Sequence, residues 1–190
     1  MHPRQFVSAR TPDGKEYILH ILFVCTGNIC RSPMAERLAV SYADQSHISN
    51  FKASSAGTRA VIAHPIHPDA ATVIARLGGD AANFAAKQLK PKHMSNADLI
   101  VTMTKAHRDA ALQIAPHKLH RTFMLSEVAQ LTSVHGATTL ADLAALRPEL
   151  TPRELFDIHD PIGQDPDVFD SVGSQIAALL PFVLELGRTS

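Results

Sequence analysis

The chain has 190 residues, 45% of them hydrophobic, with 18 basic and 18 acidic side chains. That is one domain's worth of chain, able to bury roughly 70% of its unfolded surface without staples, and its balanced charge argues against a nucleic-acid face or a polybasic membrane anchor. Two cysteines, Cys25 and Cys30, make no disulfide framework and point to chemistry in a reducing compartment, the cytoplasm by default.

Residues 1–17 read as a polar tail. Pro12-Asp13-Gly14 marks a turn, and nothing there forms the apolar core of a signal peptide. Residues 18–190 are expected to form the domain, and no apolar run approaches the length of a membrane span. Ile18 to Cys25 is a nearly continuous apolar run, as in a strand buried on both faces of a parallel sheet. Ser32-Pro33 reads as a capping hydroxyl followed by proline at the first helical position. Met34, Leu38 and Tyr42 then give that helix an apolar stripe. A second strand is expected to end at Ser54-Ser55. Asp69 to Leu77 suggests a helix stopped by Gly78-Gly79. A strand over Asp98 to Met103, a helix over Lys105 to Ile114 and a strand over Arg121 to Leu125 follow.

The stretch 132–154 is an extra segment. Thr139–Asp142 and Thr151–Glu154 look like capping boxes, predicting one or two short helices; a flexible loop is the competing reading. The last helix should begin near Pro166-Asp167 and carry Phe169, Val172, Ile176, Leu179 and Val183. Pro181 should kink it or split its end. Alternating strands and helices predict a single α/β domain with a parallel sheet flanked by helices on both faces.

The chemistry concentrates in Cys25-Thr26-Gly27-Asn28-Ile29-Cys30-Arg31-Ser32. A cysteine ends a buried strand, and an arginine precedes a helix at once. A loop leading into a helix N-terminus can aim successive N–H groups at one anion. Gly27 and Asn28 tolerate the left-handed backbone such a curl needs. Arg31 supplies a planar fork for two oxygens of a tetrahedral oxyanion. Helix N-termini, backbone donors and a nearby cation favour the thiolate of a cysteine placed there, and a thiolate can attack phosphorus. A Cys-x5-Arg spacing by itself recurs by chance, and a lone cysteine at a strand end is usually a small core residue. The preceding strand, the glycine and asparagine, and the Ser-Pro that follows make the catalytic reading the stronger one.

Leu22 to Glu36, LFVCTGNICRSPMAE, resembles the signature of low-molecular-weight protein tyrosine phosphatases. Ser55-Ala56-Gly57-Thr58, Lys87-Gln88-Leu89, Asp98 to Met103 with His107, and Asp160-Pro161 extend the resemblance. It implies a four-stranded parallel sheet of order 2-1-3-4, with no metal and no cofactor. It implies Cys25 as nucleophile, Arg31 as phosphate clamp and Asp160 as general acid. The substrate would be gripped by Thr26, Gly27, Asn28, Ile29, Cys30, Ser32 and Ser55. Asn28 would hold the loop's shape with help from Ser32 and Ser55, and Ser32 would donate to the thiolate. The partners implied are tyrosine-phosphorylated protein, with phosphate or other oxyanions in the site, and neither nucleic acid nor membrane.

Two departures stand out. Ile162-Gly163 replaces the tyrosines that many relatives carry after Asp-Pro, so an aromatic wall must come from elsewhere. Phe84 stands near where some relatives have a histidine. Ile29 sits where relatives resembling phosphoarginine phosphatases carry threonine, which favours phosphotyrosine over phosphoarginine. The rivals are an arsenate reductase using an external thiol, a phosphoarginine phosphatase, and a phosphoprotein-binding module without catalysis. His64 and His67 (HPIHP) have a chelating spacing, but further zinc ligands are not evident and a surface loop is the ordinary reading.

Overall fold

The computed structural model describes residues 18–188; the tail expected over residues 1–17 lies outside them. Four strands, β1 (Leu19–Cys25), β2 (Phe51–Gly57), β3 (Leu99–Thr102) and β4 (Thr122–Met124), form a parallel sheet of order β2-β1-β3-β4. Among the described residues seven α-helices accompany it: α1 (Arg31–Gln45), α2 (Pro68–Arg76), α3 (Pro91–Ser95), α4 (Lys105–Ile114), α5 (Leu125–Ser133), α6 (Leu140–Leu146) and α7 (Pro166–Arg188).

The two-residue period of β1 sorts its side chains onto two cores. Leu19, Ile21, Phe23 and Cys25 join the larger core with residues of α1, α2, α5 and α7. Leu22 and Val24 join the smaller one beneath α3 and α4, with Met94, Ile100 and Ala111. The chain runs from β1 to β2 on one side, then crosses to β3 on the other. The reversal leaves a crevice at the carboxyl end of β1, the usual ligand position of open parallel sheets.

Two close approaches fix the layers. A Cβ on Gly57 would collide with the Thr26 carbonyl oxygen, so glycine lets β2 pass the end of β1. A Cβ on Gly173 would collide with Val73, so glycine lets α7 seat on α2.

Several expectations need correction. The second strand continues past Ser54-Ser55 to Gly57, because β1 pairs with it residue by residue up to Cys25↔Gly57. The first helix starts at Arg31, with Cys30 at the cap and no side-chain cap bond. Ser32 does not cap it, because its hydroxyl is used inside the loop, as described below. Pro181 does not split the last helix, which runs unbroken to Arg188. Pro181 is exposed, so the bond it removes falls on the solvent side. The deeper core contact there is Leu180 rather than the half-buried Leu179. By length and composition α7 could cross a membrane, yet its apolar face, from Phe169 to Leu186, is part of the core.

In the 132–154 stretch the capping box at Thr139/Asp142 forms in full and starts α6; at Thr151/Glu154 only the half on the glutamate side forms, Glu154 accepting from the Thr151 N–H and hydroxyl at the start of a 3-10 turn. Arg147 ties this stretch to the sheet edge. It donates to the Thr122 carbonyl at 2.6 Å, to buried Glu127 at 3.0 Å, and lies 4.1 Å over the Phe123 ring. Glu127 also accepts from Arg108 at 2.7 Å and from the Met124 N–H at 2.7 Å. The segment thus covers β4, an edge that would otherwise present unpaired backbone.

α4 delivers one buried titratable side chain. His107 Nε2 meets Thr26 Oγ1 at 2.8 Å, and its Nδ1 has no hydrogen-bond partner among the described residues. Burial first, then the Arg31 charge, pushes its pKa from 6.5 down to about 4. The folded state therefore binds fewer protons than the unfolded chain between those values. The stability held by neutral His107 is complete above about pH 6.5 and is lost as pH falls toward 4. We expect His107→Gln to flatten this slope, removing on the order of 2–3 kcal/mol of pH-dependent loss. Urea unfolding of both proteins at pH 4.5 and 7 checks it; equal losses would assign the titration to another group.

Candidate active site

β1 ends at Cys25, and α1 begins at Arg31. The five residues between them curl back on themselves. Among them only Asn28 has a left-handed backbone, at φ 57°; Gly27, expected to share that role, does not. One reversal suffices because the loop's carbonyls are drawn outward by a neighbouring segment. Thr58, Arg59, Val61 and His67 donate their N–H groups to the carbonyls of Cys25, Thr26, Gly27 and Ile29, at 2.8–3.0 Å. None of the backbone N–H groups of Thr26 to Cys30 meets an acceptor among the described residues. The loop is a ring of unpaired donors at a helix N-terminus, and such a ring suits an anion.

Behind the loop lies a directed hydrogen-bond chain. Ser55 Oγ donates to Glu36 Oε2 at 2.5 Å and accepts from Asn28 Nδ2 at 2.8 Å. Asn28 Nδ2 also donates to Ser32 Oγ at 3.0 Å, and Ser32 Oγ lies 3.0 Å from Cys25 Sγ. Asn28 Oδ1 accepts from the Lys87 N–H at 2.8 Å. With its acceptor side served by Asn28, Ser32 has its own proton free for the cysteine sulfur. Phe84, standing where a histidine was considered, lies under Arg37 instead. The network closes through Glu36, which sequence reasoning missed.

A cavity of about 220 Å³ opens over the loop. Cys25, Arg31 and Asp160 line it, as do Thr26, Gly27, Ile29 and Cys30 of the expected binding set. Asn28, Ser32 and Ser55 are fully buried behind that wall, where they shape the loop rather than face the cavity. Arg59, Val61 and Ile162 complete the lining. No motif announced the first two; they arrive because their backbone N–H groups bond the loop's carbonyls. The wall left open by the missing tyrosines is thus aliphatic. Phe156 lies outside it, its backbone tied to Ser126.

Arg31 is buried, and its guanidinium is fixed by the Ile158 carbonyl at 3.0 Å and by Asp160 at 2.6 Å. Its Nε is buried without a hydrogen-bond partner among the described residues. Asp160 is half exposed at the mouth. Asp157, three residues before Asp160, is occupied elsewhere, accepting from the Lys105 N–H at 2.8 Å. Burial first, and the charge of Cys25 second, push the Cys30 thiol well above its ordinary range, so Cys30 stays protonated beside Cys25. His67 proves to be an ordinary cap: it accepts from the Asp69 N–H and stacks on Phe169 at 4.8 Å.

Residues 20–142 match the family model of the low molecular weight phosphotyrosine protein phosphatases. Over 107 residues the chain is 36% identical to the low molecular weight protein-tyrosine-phosphatase Etp of Escherichia coli K12, covering 56% of this chain and 69% of that protein. It is 35% identical over 107 residues to a protein-arginine-phosphatase of Geobacillus stearothermophilus, with the same coverage of 56% and 69%. The solved low molecular weight protein tyrosine phosphatase of T. tengcongensis superposes with a TM-score of 0.71 at 26% identity, covering 88% of this chain and 98% of that one. The loop from Cys25 to Arg31 falls inside the matched stretch, and Asp160, beyond it, is brought to Arg31 by the fold. With the sheet order, the donor ring and these likenesses in agreement, the chain belongs to the low molecular weight phosphotyrosine protein phosphatase family.

Proposed function

We propose that this phosphatase hydrolyses phosphotyrosine in proteins through a phosphocysteine formed on Cys25. The observation that carries the reading is the ring of unpaired backbone donors around the Cys25 loop, with Arg31 and Asp160 paired across its mouth. The phosphate dianion enters that ring and takes over Arg31, whose Nε is already free of other partners. Asp160, released from that ion pair, takes up a proton from solvent and turns toward the leaving oxygen. The Cys25 thiolate attacks phosphorus, the S–P bond forms as the P–O bond to the aryl group breaks, and Asp160 gives its proton to the departing oxygen. Water next attacks phosphorus, Asp160 takes the proton back, and the thiolate leaves, stabilised by the Ser32 hydroxyl. The developing charge on the equatorial oxygens meets fixed N–H donors throughout.

Cys25 lies at 2% exposure on the cavity floor. A long aromatic stem reaches it, and the short stem of phosphoserine does not. Both thiols of the described residues are free and buried in this loop, which fits a reducing compartment such as the cytoplasm. The likeness to a protein-arginine-phosphatase keeps phosphoarginine as the second reading. Ile29, Val61 and Ile162 argue for the aromatic substrate, because a guanidinium desolvated against them loses a hydrogen-bond partner, whereas a ring packs on them.

Asp160→Ala should lower turnover of aryl phosphates by roughly 10²–10⁴-fold. The loss should shrink for leaving groups of low pKa. A large loss in Asp157→Ala with little in Asp160→Ala would transfer the acid role to Asp157.

Ile29→Thr should move the kcat/KM ratio of phosphoarginine to phosphotyrosine peptides upward by about fivefold or more, since a hydroxyl restores about 1 kcal/mol or more to the polar group. Equal ratios in the wild type and the variant would show that Ile29 does not select.

A further inference from the structure

The cavity mouth carries one charge that the chemistry above does not use. Arg59 is an exposed residue on the segment that laces the Cys25 loop, and it lines the same cavity as Cys25, Arg31 and Asp160. Its backbone is fixed by an N–H bond to the Thr26 carbonyl at 3.0 Å. The next residue is fixed as well, its N–H donating to Gln88 Oε1 at 3.0 Å. The base of the side chain is therefore held at the rim.

The guanidinium has no carboxylate partner among the described residues. Arg31, Arg37, Arg76, Arg108 and Arg147 each hold one. Arg59 differs from them in position as well as in pairing. Arg31 is neutralised by Asp160 in the unliganded cavity, so the uncompensated positive charge of the lining belongs to Arg59. Beside it the mouth is aliphatic: Val61 and Ile162 line it and are 38% and 45% exposed. Exposed branched side chains at an opening make a surface for the flanks of a bound peptide.

We propose that Arg59 is a specificity-determining residue that pairs with an anionic side chain next to the phosphotyrosine in the substrate. This rests on the phosphotyrosine reading and deepens it. Once the phosphate is seated in the donor ring, residues flanking the tyrosine lie over the rim, where Arg59 meets them. A carboxylate offers the guanidinium two parallel hydrogen bonds; a lysine in that place meets like charge. An exposed pair of this kind is worth a modest factor and weakens as salt rises.

The test uses three phosphotyrosine peptides that differ only at the two flanking positions, carrying Glu, Gln or Lys. A small aryl phosphate without flanks reports the core reaction. The wild type should show kcat/KM for the Glu peptide about three- to fivefold above the Gln peptide at low salt, with the Lys peptide lower still. This ratio should approach one at high salt. Arg59→Ala should bring it to one, Arg59→Lys should keep its direction, and Arg59→Glu should invert it toward the Lys peptide. The ratio is taken within each protein, so a general loss of activity in a variant cancels. A phosphoserine in place of Glu distinguishes a second phosphate from a carboxylate as the preferred anion. A flat ratio in a wild type that turns over the aryl phosphate overturns the role of Arg59 alone, as does a wild-type ratio unchanged in Arg59→Ala. Failure of the wild type to turn over the aryl phosphate overturns the reading beneath it.

Discussion

The left-handed turn of the backbone at Asn28 is the constraint on which the site depends. Reversing the chain there sends the carbonyls of Cys25, Thr26, Gly27 and Ile29 outward to bonded neighbours and leaves the N–H groups of the loop unpaired. Such a conformation costs an ordinary residue roughly 1–2 kcal/mol, and asparagine is among the few that adopt it readily. The Asn28 side chain then holds what its backbone sets up. It bonds Ser32, Ser55 and the Lys87 N–H, so three separate segments fix one amide. The donor ring built this way is in place before an anion arrives, and such preorganised donors are a main source of electrostatic catalysis.

The rest of the molecule supplies the anchors for that turn. β1 brings Cys25 to the carboxyl end of the sheet, and α1 starts immediately after the loop. Gly57 lets β2 run close enough for the following segment to reach the outward carbonyls. Asp160 arrives on a late loop of the chain. The backbone at Ile158 bonds Met103 through its N–H and Arg31 through its carbonyl, so the strand-end chemistry and the late loop share one point of attachment. Arg147 and Glu127 secure the preceding stretch against β4, and Asp157 ties its end to the start of α4. Asp160 is thereby delivered to Arg31 from 129 residues away in the chain.

Much of this was legible in the residues themselves. The apolar run to Cys25, the polar loop and the arginine before a helix define local geometry, and local geometry is what composition encodes. The capping box at Thr139, and the short turn begun at Thr151, were legible for the same reason. Ser32 was misread as a helix cap because the residue type fits both roles; only the tertiary position of Asn28 and Cys25 decides where the hydroxyl goes. Pro181 does not split its helix, because it faces outward and the backbone bond it removes lies on the solvent side. Glu36, Arg59 and Val61 carry no local signature. They join the site through contacts across 19 to 34 residues of chain, which periodicity does not report.

The account stands on Cys25 carrying the phosphoryl group between two half-reactions. The most direct measurement is rapid acid quench of the enzyme during turnover of an aryl phosphate, followed by peptide mass spectrometry. The account predicts one added phosphoryl group on the peptide holding Cys25, sited on its sulfur and lost in Cys25→Ser together with turnover. Sustained turnover with Cys25 unmodified at every quench time, or undiminished turnover in Cys25→Ser, would contradict it.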